Sequence, residues 1–223
     1  MNKEITFEGE HSVYHIFSRG VEKRDIFSDD DDRNRFLFLL CALQGNVFFN
    51  HISSLAKKFG QRGTSALQEI ERDIFNAQIV ELIGFVLMPN HYHLMLLELQ
   101  ENGISKFMSR LGNSYTKYFN LKHKRNGYLF SSHCNKILVD TNEYLLHLSA
   151  YIHRNPRELI GWRNKESKYP WSSYQDYIGS NRFGNFINRS ILLDQFSSPE
   201  EYGAFVSSSK AKDYEDFLAN LPD

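Results

Sequence analysis

The chain has 223 residues, a formal net charge of −1, 41% hydrophobic and 24% charged residues, a balance that suits one globular domain with or without an appendage and speaks against a uniformly basic nucleic-acid binder. Its two cysteines, Cys41 and Cys134, form no CxxC pair and are too few for a disulfide framework, so a reducing cytosol is the expected compartment. No run approaches the ~18 apolar residues of a membrane span, and residues 1–6 lack the basic-then-apolar pattern of a signal peptide, so a soluble, cytoplasmic protein is expected.

Charge is unevenly spread. Residues 103–165 hold eleven Lys or Arg against three acids, a net +8 that leaves −9 for the rest of the chain. Such polarity marks a candidate phosphate-binding surface, although a solvated helix face produces the same pattern.

Taken in order, residues 11–19 carry the β-branched and aromatic content of a first strand, closed by Gly20. Asp29 to Asp32 supply a cap and first-turn acids for a helix over about 33–43, whose Phe36, Leu37, Leu39, Leu40 and Leu43 form an apolar stripe. Residues 44–72, broken by Gly45, Gly60 and Gly63, read as a variable connection with helical pieces near 52–59 and 66–70. Residues 77–88 and 91–99 then form a hairpin turning at Pro89-Asn90. The next segment, 103–123, is an amphipathic basic helix with Ile104, Phe107, Met108, Leu111, Tyr115 and Tyr118 near one side. Two short β-like pieces follow within 127–139. Thr141-Asn142-Glu143 cap a helix that ends at Asn155, because Pro156 restricts the residue before it. The remainder, 166–223, reads as an extension with some helix.

The chemistry gathers at two places. In a strand, His91 and His93 project from the same face while Tyr92 points to the other, which makes half a metal site. On the later helix Tyr151 and Asn155 are four apart and share a face. An amide oxygen can complete a site begun by two imidazoles, and mixed nitrogen and oxygen ligation accommodates Mg²⁺ or Mn²⁺. A phenol with a pKa near ~10 needs a nearby cation or base before it attacks. A cation that also binds the target phosphate would meet that need and leave the tyrosine joined to phosphate, which is strand transfer rather than hydrolysis. Tyr115 and Tyr118 could also be nucleophiles, but their spacing suits packing.

Four stretches, Tyr14-His15-Ile16 with Ser18-Arg19-Gly20, Leu87-Met88-Pro89-Asn90-His91-Tyr92-His93-Leu94, Gly127-Tyr128-Leu129-Phe130 and Tyr151-Ile152-His153-Arg154-Asn155-Pro156, together resemble the REP-associated tyrosine transposases. These belong to the IS200-like, single-tyrosine HUH superfamily, in which U is a hydrophobic residue, Tyr92 here. The resemblance runs over roughly 11–178 and includes Pro170-Trp171-Ser172-Ser173-Tyr174. It implies a ferredoxin-like α+β sandwich with a central antiparallel sheet and helices on one face, formed by a transposase domain over 1–165 with 166–223 appended. It also implies His91, His93 and Asn155 as metal ligands, Tyr151 as nucleophile, a 5′-phosphotyrosine intermediate and single-stranded DNA with hairpin-forming repeats as substrate. Ser131-Ser132-His133 departs from the continuation expected after the aromatic pair. Arg19, Arg24, Lys106, Arg110 and Lys117 are the candidate DNA contacts.

Two other readings compete. A non-catalytic ferredoxin-like module could bind DNA or RNA through aromatic and basic residues. A zinc hydrolase could use His91 and His93, but no further strong ligand is evident. Oligomeric state is left open, as is whether Tyr151 meets His91 within one chain.

Overall fold

The computed structural model describes residues 11–131 and 134–209. Four strands, β1 (Val13–Arg19), β2 (Val80–Met88), β3 (His91–Glu98) and β4 (Asn135–Val139), form one antiparallel sheet in the order β2-β3-β1-β4. Between β1 and β2 lie α1 (Asp30–Ala42), α2 (Ile52–Arg62) and α3 (Gln68–Asn76). Helix α4 (Gly103–Lys122) joins β3 to β4, and α5 (Asn142–Arg154) follows β4. Strand order and the β-α-β-β-α-β sequence of elements define the ferredoxin-like α+β class expected from the resemblance.

Local chemistry accounts for the boundaries. Asp29 caps α1 by accepting from the Asp32 amide at 3.0 Å, so the acidic run is helix punctuation. Asp32, fully buried, receives Lys122 Nζ at 2.9 Å and lies 3.0 Å from His123 Nε2, which ties the start of α1 to the end of α4. The connection over 44–72 is more helical than its glycines suggest, because Ala56, Phe59, Leu67 and Ile74 bury themselves against the core. Of the two β-like pieces in 127–139, β4 is a strand, while Phe130 makes only an isolated bridge to Gly20. Ser132 and His133, within the departure from the expected ribbon, lie outside the described residues.

Strand parity sorts the two faces. Tyr92 meets Phe36 of α1 with ring centroids 4.9 Å apart, and Phe36 meets Tyr115 of α4 at 5.0 Å, so α1 and α4 cover that face. Tyr115 is fully buried and its hydroxyl donates to the Ile26 carbonyl, in keeping with packing rather than attack. His15, Phe17 and His93 project from the opposite face, and there α5 lies across the sheet. Helices therefore occupy both faces, the second being added after the β-α-β-β-α-β unit is complete.

The C-terminal segment holds α5 in place. Trp171 and Ser173 run beside β2, with Leu87 N–H donating to the Trp171 carbonyl at 2.8 Å and Ser173 N–H to the Phe85 carbonyl at 3.0 Å, so the free edge of β2 is paired. Short helices α6 (Tyr174–Ile178) and α7 (Ser190–Leu193) and then α8 (Pro199–Ser208) follow. α8 packs on α5 and α6 through buried Tyr202 and Val206. No helix among the described residues is long and apolar enough to cross a membrane.

Candidate active site

The site forms at the end of the sheet where β3 begins. Pro89 and Asn90 turn the chain, and this turn is itself braced: the Pro89 carbonyl accepts from Ile26 and Phe27 amides at 2.8 and 3.1 Å, and the Asn90 carbonyl from the Gly20 amide at 2.9 Å. Gly20 is required there, since an added Cβ would lie 2.2 Å from the Arg24 carbonyl oxygen. His91 and His93 follow on one face, their ring centroids 5.1 Å apart.

Helix α5 brings the other two side chains. Thr141 caps it by accepting from the Tyr144 amide at 3.1 Å. At the other end the Asn155 amide donates to the Tyr151 carbonyl, which stacks these residues one turn apart. Pro156 diverts the chain into a 3₁₀ turn, Asn155–Glu158. Asn155 Oδ1 then lies 3.3 Å from His91 Nε2, and the Tyr151 ring lies 5.2 Å from that of His93, nearly perpendicular to it. All four meet within one chain. Tyr151 is 9% exposed and Asn155 4% exposed, so little water reaches them.

The imidazoles are held neutral. Burial, with the positive Arg19 next in effect, lowers the His91 pKa to about 4, against a smaller opposing contribution from the side-chain oxygen of Asn155, which would accept from a protonated ring. Burial also drives His93 well below its ordinary value, with His15, His91 and Arg19 adding to the effect. Neutral imidazole is the form that ligates a metal.

The hydrogen bonds test whether a cation suits this donor set. His91 Nδ1 lies 2.7 Å from the side-chain oxygen of Asn90, which can only accept, so Nδ1 carries the proton and donates. Nε2 of the neutral ring then presents a lone pair to the oxygen of Asn155, another acceptor. Two lone pairs facing each other at 3.3 Å are suited to a shared cation. Among the described residues no group of three His, Cys, Asp or Glu side chains converges to hold a metal, so the donors would be the two imidazoles and the amide. Two imidazole nitrogens and one amide oxygen make a mixed donor set that could hold a divalent cation and leave positions for water or phosphate oxygens.

The basic residues separate into two groups. Arg19 pairs with His91 across β1 and β3 and is exposed at the site. Arg24 lies in the turn beyond Gly20, half-buried, its Nε donating to the Val21 carbonyl and Nη2 paired with Glu22 at 3.1 Å. Lys106, Arg110 and Lys117 stand on α4, across the sheet from His91 and His93. Lys106 and Lys117 are exposed, whereas Arg110 donates to the carbonyls of Gly45 and Val47 at 2.8 and 2.6 Å.

Two neighbours were not expected from sequence. His15, fully buried on β1, places Nε2 at 2.9 Å from His93 Nδ1. His153, between Tyr151 and Asn155 on α5, turns away from the site to meet Ser173 Oγ at 2.9 Å and the Tyr202 hydroxyl at 2.7 Å. The usable signal for His15 was parity: it alternates with Phe17 and Arg19, but only the strand register shows that this row faces His93.

A ferredoxin-like sheet thus carries two neutral imidazoles, an amide and a phenol gathered at one end. Residues 52–155 match the family model described as transposase IS200 like, and His91, His93, Tyr151 and Asn155 all lie inside that match. The resemblance to IS200-like transposases carried by the sequence motifs holds over those residues. A solved structure of a REP-associated tyrosine transposase bound to a REP hairpin is similar at 12% identity with a TM-score of 0.48, covering 89% of this chain and 96% of that one. No curated protein matches.

Proposed function

We propose that the protein cleaves and rejoins single-stranded DNA at hairpin-forming repeats, as a single-tyrosine transposase or related strand-transferase. One observation carries this reading: Tyr151, His91, His93 and Asn155, up to 64 residues apart in sequence, converge at one end of the sheet. In the reaction the Tyr151 oxygen attacks the scissile phosphorus in line as the bond to the 3′ oxygen breaks. The phenol proton is lost and the departing oxygen gains one, leaving a 5′-phosphotyrosine and a free 3′-hydroxyl. Reversal by another 3′-hydroxyl rejoins strands without ATP.

His91, His93 and Asn155 would hold Mg²⁺ or Mn²⁺, which when bound neutralises charge on the phosphoryl oxygens. The burial of Tyr151 restricts water, which favours transfer to a hydroxyl over hydrolysis. Arg19, exposed beside His91, is the side chain best placed to meet a phosphate near the scissile one, and Arg24 follows it around the turn. Lys106, Arg110 and Lys117 would reach only DNA that passes to the other face.

The test is a covalent-adduct assay with hairpin oligonucleotides taken from DNA flanking the gene, run with Mg²⁺ or Mn²⁺. Wild-type protein is expected to form an adduct resistant to denaturation, and Tyr151→Phe to bind the same DNA without forming it. An unchanged adduct in the variant would remove Tyr151 from its role. Binding without cleavage across a broad hairpin library would favour the non-catalytic module instead.

A further inference from the structure

We infer that His15 is a positioning residue that sets the tautomer of His93 and so leaves the correct nitrogen of His93 free for the metal. The inference rests on the metal-dependent reading above and adds a residue to it.

His15 and His93 meet edge to edge. Their ring planes differ by only 17°, their centroids are 5.1 Å apart, and Nε2 of His15 lies 2.9 Å from Nδ1 of His93. Near-parallel planes with so short a nitrogen separation mean that the contact lies nearly in the plane of both rings, where an imidazole N–H and lone pair point. One nitrogen must donate and the other accept. Nδ1 of His93 is thereby engaged, and Nε2 is its remaining ring nitrogen.

The direction of this bond decides whether His93 can ligate. If His15 donated, the proton of neutral His93 would sit on Nε2 and no lone pair would remain. If His93 Nδ1–H donates to His15 Nε2, the lone pair of His93 Nε2 is free. His91 shows the same arrangement by another route, its Nδ1–H donating to Asn90 and its Nε2 turned to Asn155. Both imidazoles thus have Nδ1 engaged by a neighbour, which leaves Nε2 as the nitrogen for a metal, the second-neighbour pattern that orients metal-binding histidines and raises their basicity.

A purely structural account explains the residue poorly. His15 is fully buried, where an apolar side chain of similar size would avoid desolvating an imidazole. β1 meets β3 and β4 through its backbone, so the sheet does not depend on the imidazole of His15. Its ring also lies 6.4 Å from that of Tyr151, so the pair occupies the floor beneath the nucleophile.

The test uses the full chain with ¹⁵N-labelled histidine and no added metal. Long-range nitrogen–proton spectra at neutral pH are expected to show His93 with its proton on Nδ1; a proton on Nε2 would overturn the inference whatever the enzyme does. Mn²⁺ binding is then measured by titration for wild type, His15→Phe and His15→Gln. Phe fills the space without an acceptor, and Gln restores an acceptor oxygen. The Phe variant is expected to bind Mn²⁺ about 10- to 100-fold more weakly, with a mixed His93 tautomer. Gln should recover most of the loss, and metal-free hairpin binding should stay the same in both. Equal Mn²⁺ affinity in Phe and wild type, or equal loss in Phe and Gln at matched thermal stability, would overturn the inference. Failure of wild-type protein to bind Mn²⁺ would instead refute the metal reading, and the His93 tautomer would still decide the role of His15.

Discussion

The two histidines of the motif differ in what surrounds them, and substitutions should separate their roles. His91 stands only partly buried at a strand start, so His91→Ala should abolish metal-dependent cleavage at a stability cost of about 1 kcal/mol or less. His93, 5% exposed among His15, Phe17 and Tyr151, should cost more when truncated. A cavity opens there and His15 loses a buried partner, which together are worth roughly 2–4 kcal/mol. Urea unfolding alongside the adduct assay checks both; full cleavage by either variant would remove that histidine from the metal set. Arg19 belongs at the same scale. Arg19→Ala should weaken DNA binding and flatten its salt dependence while leaving the fold intact.

At the scale of elements, α4 and α5 have opposite relations to the site. α4 carries much of the basic character, but it lies behind the sheet, and Arg110 anchors the chain at Gly45 and Val47. Arg110→Ala should therefore destabilise by about 1–3 kcal/mol, whereas Lys106→Ala and Lys117→Ala should leave the unfolding midpoint where it is. α5 is held through His153, whose neighbours are Ser173, Tyr174 and Tyr177 near β2 and Tyr202 from α8. Burial lowers its pKa from 6.5 to about 3. Between those values the unfolded chain binds a proton that the folded chain does not, so stability is lost as pH falls from about 6.5 towards about 3. Denaturant midpoints measured over this range should fall less steeply in His153→Gln than in wild type; parallel slopes would show that His153 does not contribute.

For the molecule as a whole, the segment after residue 165 completes the structure. It pairs the edge of β2 and buries Tyr177, Phe183, Ile187, Tyr202 and Val206. At about 1.5–3 kcal/mol for each large apolar side chain fully buried, this is comparable to the ~5–15 kcal/mol net stability of a domain. A chain ending at 165 should accordingly be insoluble or melt far below the full protein, and a cooperative melt at the same temperature would contradict that. Contacts of His153 with Ser173 and Tyr202, and the pairing of β2 with Trp171 and Ser173, tie the residues on either side of position 165 together.

Sequence alone determined the local geometry. Parity put His91 and His93 on one face, an i to i+4 spacing stacked Tyr151 with Asn155, and Asp29, Thr141 and Pro156 marked helix ends, because each depends on backbone periodicity or on a side chain bonding its nearest amides. Tertiary structure alone decided what faces what. The register pairing Phe17 with His93 placed His15 against the motif, and the packing of α5 on the sheet face opposite α4 brought Tyr151 to the histidines and left three basic residues behind. Those relations arise from strand order and helix placement, which bring together residues far apart in the chain and which no local spacing encodes.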